Sequence, residues 1–412
     1  MTDPAAAPEG RLTTRQAAEL LGVKPATVYA YVSRGLLASR REPTGRGSTF
    51  DAAEVSALAR RTRREAATPP GELTVRTGLT LIEADRYWFR GVDAVALASR
   101  HRYEEVAEWL WTGRLPRGAR FTAPPELLAA ARRAVAALPE HSGPVDRLRV
   151  ATAAAAAADP LRFDLSPEAV LGTARSLIPT LVEALPAAGQ EHRGEGRLAR
   201  RLWTRLTALP PDTDPVGALD LALALLTDHD LAASTLAVRV AASAHAHPYA
   251  CVSAGLGALD GPLHGAAGPL AHRMLLEVME RGGAAPVVAD HLRSGRRVPG
   301  LGHRLYAGED PRATALFARL ADLPQAGPAL AAARDVVAVT ARQGRGLHAN
   351  VDLALSVLTV SYGMPVEAGE TVFAVARTAG WIAHVLEEYG ERPLRMRPSG
   401  QYVGPRPPQP LP

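Results

Sequence analysis

From residue 73 onward the apolar residues recur at helical rather than alternating spacing, and no βαβ alternation breaks the pattern. That periodicity excludes doubly wound sheets, barrels and sandwiches, and leaves a mainly α body. Helices are expected over Val92–Ser99, Tyr103–Thr112, Pro125–Leu138, Asp146–Ala158, Leu198–Leu209 and Val216–Asp228. Another is expected over Pro167–Leu185, with Ser166 as N-cap, Pro167 at its first position and a kink at Pro179. One short hairpin fits between Val75 and Arg90, around Ala84-Asp85, and the stretch from Pro186 to Gly196 reads as a polar surface loop.

Composition narrows the class. With 47% apolar and 22% charged residues the chain reads as a soluble globular protein. No apolar run reaches the ~18 residues that cross a bilayer. Residues 1–10 lack the basic and apolar regions of a signal peptide, so the expected location is the cytoplasm. Cys251 is the only cysteine, which excludes an internal disulfide and a multi-thiolate metal site. His245, His247, His272, His291 and His348 have no ligand spacing such as HExxH, so no metal is expected. Residues 1–65 carry 11 Lys/Arg against 7 Asp/Glu, whereas the remainder carries 36 against 35. The basic character therefore belongs to the N-terminal segment.

That segment reads as a small helical unit. Thr13 with Gln16 forms a capping box before a short helix that Gly22 ends. Pro25 opens a second helix, Ala26–Arg34, closed by Gly35. Residues 40–48 suggest a hairpin-like wing tipped by Arg46, and Asp51 and Glu54 cap a third helix that runs into Arg60, Arg61, Arg63 and Arg64. This order resembles the winged helix-turn-helix of the mercury-resistance regulator and excisionase families. The resemblance implies that Lys24, Thr27, Tyr29, Tyr31 and Arg34 lie on or beside a recognition helix in the major groove of double-stranded DNA, with Arg46 at a phosphate or the minor groove. A protein-contact module is the alternative.

In the body, Gly261-Pro262-Leu263-His264-Gly265-Ala266-Ala267-Gly268 sets a histidine between small residues just before an amphipathic segment, Leu270–Glu280. A helix N-terminus would lower the pKa of such a histidine and favour neutral imidazole, a donor to a carbonyl oxygen; a capping histidine is the bland reading. Asp352, with Asn350 as cap, falls in the first turn of a helix over Leu353–Tyr362. The dipole there stabilises a carboxylate, whereas a useful base needs burial, and the residues leave both open. Arg312 sits in a first turn after Asp310 and Pro311, where a cation opposes the dipole. Arg377 shares an apolar face with Phe373 and Trp381. Each arginine needs an anion, either an internal acid or a substrate carboxylate.

Seven motifs, in order, resemble citrate synthase: residues 228–235 (DHDLAAST), 261–268 (GPLHGAAG), 299–306 (PGLGHRLY), 310–313 (DPRA), 350–352 (NVD), 376–381 (ARTAGW), and 397–398 with 402–404. The resemblance implies a two-domain helical fold, with a large domain over 73–264 and 361–404 and a small one over 265–360 that closes on its substrates. Before it stand a disordered start (1–10), the winged domain (11–65) and a linker (66–72), and a disordered tail (405–412) follows.

The implied chemistry joins acetyl-CoA to oxaloacetate. Asp352 would be the base, His264 the enol stabiliser and His303 the donor to the keto oxygen. Arg312, Arg377 and Arg397 would bind carboxylates beside His229, with Arg397 reaching the neighbouring subunit of a homodimer. The loop Arg296, Arg297, Val298, Gly300, Leu301 and Gly302 would carry coenzyme A, although two arginines there also fit a solvated surface pair. No cofactor beyond the thioester substrate is implied.

Departures from the pattern fall near the site: Ala232 for an asparagine, Ala266 and Gly268 for a glycine and an asparagine, Leu353 for an aromatic, and Gly143 where a histidine often precedes Pro144. They bear on substrate identity. A 2-methylcitrate synthase using propionyl-CoA, a metabolite-sensing DNA-binding regulator, and a synthase whose N-terminal unit serves assembly are the alternatives.

Overall fold

The computed structural model describes residues 10–33, 36–41, 48–56, 58–59, 75–189, 196–261, 264, 267–342, 347–398 and 403–404. The chain divides into two compact units, Met1–Arg76 and Thr77–Pro412.

The first unit contains β1 (Arg11–Thr13), α1 (Thr14–Leu21), α2 (Pro25–Ser33), β2 (Ser39–Arg41) and β3 (Ser48–Asp51). Its antiparallel sheet runs in the order β1-β3-β2. The capping box is formed: Thr13 Oγ1 accepts from Gln16 N at 3.4 Å, and Gln16 Oε1 accepts from Thr13 N at 2.9 Å. Gly22, at φ 69°, ends α1 in the left-handed region. Ala17, Leu21, Val28, Leu37, Phe50 and Val55 close a small core. Asp51 Oδ1 accepts from Ala53 N and Glu54 N and opens a helical stretch at 52–56. Arg34, Arg46, the basic run beyond residue 59 and the expected linker lie outside the described residues.

The second unit opens with the expected hairpin, β4 (Thr80–Glu83) and β5 (Arg86–Phe89), turned by Ala84 and Asp85 at φ 50° and 56°. Val92 departs from expectation. With Asp93 it forms β6 (Val92–Asp93) against β5, and the helix begins only at Ala94, where Asp93 Oδ1 accepts from Ala96 N.

Fifteen α-helices follow among the described residues: α3 (Ala94–Arg100), α4 (Tyr103–Thr112), α5 (Pro125–Ala136), α6 (Pro144–Ala158), α7 (Pro167–Ala184), α8 (Leu198–Leu206), α9 (Thr213–Leu226), α10 (Ala233–Ser243), α11 (Pro248–Leu259), α12 (Ala267–Glu280), α13 (Ala284–Arg293), α14 (Pro311–Ala321), α15 (Gly327–Arg342), α16 (Val351–Ser361) and α17 (Ala368–Tyr389). Ser166 caps α7, which runs on as helix through Pro179. None of these helices is long and apolar enough to cross a membrane.

Helix α17 is the organising element. From Thr371 to Val385 it is buried almost all round, packed on α4, α7, α9, α10 and α11. Its approach to the end of α9 depends on Gly380: a Cβ there would lie 2.3 Å from Thr227 O. That contact brings Arg377 beside residues 226–229. Helices α12, α14, α15 and α16 pack on one another as a second group, which meets the first along α9 and α17.

A buried ionic chain steadies the junction. Arg239 pairs with Glu387 at 2.8 Å and Glu388 at 3.0 Å, and donates to His384 Nδ1 at 2.7 Å. His384 Nε2 faces Asp228 Oδ1 at 3.3 Å, and Thr80 donates to the other Asp228 oxygen at 2.5 Å. Arg395 pairs with Glu388 at 2.6 Å, so the C-terminal segment is held by the same chain.

Candidate active site

A cavity of about 420 Å³ is lined by His229, His264, His303, Arg312, Asp352 and Arg377 together. Six of the seven residues assigned to catalysis and keto-acid binding therefore converge, from six different segments. The seventh, Arg397, is exposed and outside this cavity, in a turn where Leu394 N donates to Ser243 O.

His229 lies in the α9–α10 connection, where Asp230 takes φ 56°. Its Nε2 is 2.7 Å from Tyr306 Oη, and its ring is 5.1 Å from that of His303. Burial, then Arg312 and Arg377, press its pKa well below the ordinary value. His303 Nδ1 accepts from Leu305 N at 3.1 Å, so a neutral ring carries its proton on Nε2. Burial and Arg312 push it down to about 4. His264 Nε2 is 2.8 Å from Ser234 Oγ, at the start of α10, and burial followed by the Arg377 charge lowers its pKa. His264 stands three residues before the start of α12 at Ala267, and enclosure beside a cation favours its neutral imidazole. All three rings are neutral donors near pH 7.

Asp352 occupies the first turn of α16. Asn350 Oδ1 accepts from Asp352 N at 3.0 Å and Leu353 N at 3.4 Å, which fixes that turn. Burial raises the carboxyl to about 6 against the opposing pull of Arg312. The net shift is upward, the direction a useful base needs.

The arginines differ. Arg312 forks onto Asp310, with Nε–Oδ1 at 2.9 Å and Nη2–Oδ2 at 2.8 Å, so an internal acid is one of its partners. Asp310 also accepts from Val351 N at 3.0 Å and so ties the start of α14 to that of α16. Burial would raise the Asp310 carboxyl, but Arg312 outweighs it and the net shift is downward. Arg377 donates from Nε to Leu226 O at 3.1 Å and lies over the Phe373 ring at 4.6 Å. Its neighbour Asp228 is engaged by His384 and Thr80. Burial draws its pKa down to about 10, the mark of a desolvated cation short of negative charge. A guanidinium facing a cavity in this condition fits a carboxylate.

The loop expected to carry coenzyme A is laced to the segment before α16. Gly302 N donates to His348 O at 2.7 Å, and Asn350 N donates to Gly300 O at 3.0 Å. Gly300 has φ 77°, and a Cβ there would lie 2.8 Å from Leu353 Cβ. Arg296 is exposed and donates to Ser294 Oγ, whereas the Val298 side chain is buried and leaves only backbone for a ligand. Arg296, Arg297, Val298, Gly300, Leu301 and Gly302 all lie outside the cavity lining. In the first unit Lys24 and Tyr29 are exposed, Thr27 is half-buried, and Tyr31 turns toward the core. Tyr31 therefore supports α2 rather than presenting itself.

Tyr306, Asp310 and Ser234 stand in the motifs, but their partnerships with His229, Arg312 and His264 are not evident from sequence. Phe373, expected on one face with Arg377, lines the cavity from α17, and so does Glu370, which no sequence signal singles out. Glu370 is an acid in a first helical turn, a position usually explained by the dipole alone.

The profile described as "Citrate synthase, C-terminal domain" matches residues 71–399, and that described as "Helix-turn-helix domain" matches residues 11–63. Citrate synthase of Haloferax volcanii is 32% identical over 358 residues, covering 81% of this chain and 94% of the relative. Citrate synthase 2 of Bacillus subtilis is 29% identical, covering 81% and 95%. Among solved structures, citrate synthase from Thermotoga maritima superposes with a TM-score of 0.66 at 26% identity, covering 83% of this chain and 96% of that one. The ternary complex of carboxymethyl coenzyme A and oxaloacetate with Thermoplasma acidophilum citrate synthase gives 0.65 at 25% identity, covering 83% and 97%. These matches run through both helical groups that build the cavity, and the chain belongs to the citrate synthase family, as a citrate-synthase-type transferase with an N-terminal helix-turn-helix domain.

Proposed function

We propose that the chain condenses acetyl-CoA with oxaloacetate and, with one water, releases citrate and coenzyme A. The observation that carries this reading is a buried guanidinium, Arg377, whose neighbouring acid Asp228 is already held by His384 and Thr80, sharing one cavity with a carboxylate raised to about 6, Asp352. A sensor of anions needs the first and not the second.

Oxaloacetate enters with its carboxylates toward Arg312 and Arg377 and its keto oxygen toward His303 Nε2–H. Asp352 removes the α-proton of the thioester. His264, with one ring nitrogen held by Ser234, turns the other to the developing enolate oxygen. The nucleophilic carbon attacks the polarised ketone, and water then cleaves the citryl thioester. Coenzyme A is thus part of a substrate, and the loop at 296–302 carries it. The Thermoplasma complex, which holds both kinds of ligand, supports this pair. Two helical groups meeting along α9 and α17 support closure of one on the other. A homodimer completes the site with Arg397, and the exposed face of α2 with Lys24 and Tyr29 docks on duplex DNA.

A second acyl donor, propionyl-CoA, has one observation in its favour. Gly268 and Gly369 line the cavity without side chains, and a Cβ at Gly268 would reach only ordinary contact, 3.8 Å from Glu370 N. The test is release of free coenzyme A from oxaloacetate with acetyl-CoA and, in parallel, propionyl-CoA. Asp352→Asn is expected to lose the turnover of either. Absence of turnover with both, while oxaloacetate still raises the melting temperature, would replace the enzyme by a sensor.

A further inference from the structure

Glu370 lines the same cavity as His264 and Asp352, yet the mechanism above leaves it idle. It is half-buried in the first turn of α17. Its side chain has no hydrogen bond or ion pair among the described residues. Along α17, Glu370, Phe373 and Arg377 follow one another at helical spacing on the cavity side. Glu370 and Arg377 are therefore roughly 10 Å apart along the axis.

The Phe373 ring stands between them in function as well. Its face carries the Arg377 guanidinium at 4.6 Å, and its ring lies 6.0 Å from that of His264. The keto-acid carboxylates belong at Arg377 and Arg312. Moving from Arg377 toward the helix start therefore passes the enol-stabilising histidine before reaching Glu370. The carboxyl thus stands at the thioester end of the cavity. Gly268 and Gly369 line the cavity beside it without side chains of their own. A carboxyl with no partner of its own is a poor wall for an alkyl chain, since a desolvated polar group needs a partner. Asp260, Glu367 and Asp146 face Glu370 with the same sign. A second carboxylate on the acyl group would meet repulsion there, whereas a donor would be drawn in.

We infer that Glu370 is a specificity-determining residue that selects an acyl thioester bearing a hydroxyl or amine donor a few bonds from the thioester carbon, over the unsubstituted chain of equal length. The inference rests on the acyltransferase reading of this cavity. Burial and the facing acids raise the Glu370 carboxyl to about 7, which agrees with a group lacking a donor of its own.

The experiment compares 3-hydroxypropionyl-CoA with propionyl-CoA, oxaloacetate being the acceptor, in the full-length protein. The readout is the ratio of kcat/KM for the two donors, which is independent of the amount of folded enzyme. The expected ratio favours the hydroxyl by about tenfold or more, the range of one hydrogen bond to a charged acceptor. Glu370→Leu is expected to bring the ratio to one or below, and Glu370→Gln, which keeps an acceptor, to an intermediate value. A wild-type ratio at or below one overturns the inference, as does a ratio that Glu370→Leu leaves unchanged. Either result with intact acetyl-CoA turnover leaves the synthase reading standing. Absence of turnover with all three thioesters overturns both.

Discussion

Asp352 carries a cost that can be measured apart from catalysis. Its carboxyl rises from 3.8 to about 6 on folding, chiefly by burial. At about 1.36 kcal/mol per pH unit this corresponds to roughly 3 kcal/mol lost from folding when the group is ionised in both states. The sign follows from the direction. Above pH 6 the folded state holds an unfavourable carboxylate and the full cost is present. As pH falls from 6 toward 4 the folded state takes up the proton first, and the cost disappears. Asp352→Asn removes the charge at nearly constant volume. It also forfeits about 0.3–1 kcal/mol of favourable interaction with the start of α16. The variant is therefore expected to be more stable than the parent by about 2 kcal/mol at pH 8, and equal to it near pH 4. For a unit of this size that is a rise in Tm of about 3 °C. Calorimetry at the two pH values measures it, and coenzyme A release measures the accompanying fall in turnover, about 10²–10⁴-fold. A Tm difference that is absent at pH 8, or that persists at pH 4, would refute the placement of a destabilised base at this position.

Three further outcomes follow from the same geometry, and one from the first unit. Arg377→Leu is expected to weaken oxaloacetate binding by roughly 10–150-fold in isothermal titration, the range of a charge-assisted hydrogen bond; an unchanged affinity would remove Arg377 from the substrate. Ser234→Ala frees the His264 ring and is expected to lower kcat/KM for the thioester about tenfold while oxaloacetate affinity holds; equal losses in both would make Ser234 merely structural. His303, pushed down to about 4, is expected to titrate there by NMR in the protein without keto acid, and to leave no limb above pH 5 in the pH profile of kcat/KM, which reports the free enzyme. Lys24→Ala is expected to reduce the slope of log affinity for duplex DNA against log salt by about one; an unchanged slope would take α2 off the phosphates.

Much of the local structure was legible because its signals sit beside the elements they control. The Asp310–Pro311 start of α14, the Asn350 cap of α16, the Thr13–Gln16 box and the Ala84–Asp85 turn each need only a few adjacent residues. Val92 misled because an apolar residue before a short helix satisfies both periods, and pairing with Phe89 decided the matter. The convergence of His229, His264, His303, Arg312, Asp352 and Arg377 was legible only through the motifs, since no periodicity reports which loops meet. Least visible were the partners. That Arg312 has an acid two residues away while Arg377 depends on a backbone carbonyl follows from packing around α17, in part from the close approach at Gly380. The cause of His264 neutrality was hidden for the same reason, because Arg377 lies far from it in sequence.

The unequal arginines bear on the order of events. Arg312 lowers His229 and His303 and opposes the rise of Asp352, while Arg377 lowers His229 and His264. Each effect is the field of a positive charge in a poorly screened space. On the proposed reading, a dicarboxylate between the two guanidinia cancels much of that field. The histidines then rise toward ordinary values and stay neutral donors, while Asp352, relieved of the pull from Arg312, rises further and becomes a stronger base. The stronger base favours enolisation, and it requires the keto acid to be present already. Arg377, short of negative charge, supplies the drive for that first binding, while Arg312, already neutralised by Asp310, adds orientation at smaller electrostatic gain. A thioester arriving before the keto acid would meet a weaker base, and so would be spared wasteful proton exchange. The same charges that make the unliganded site costly thereby make its chemistry conditional on the second substrate.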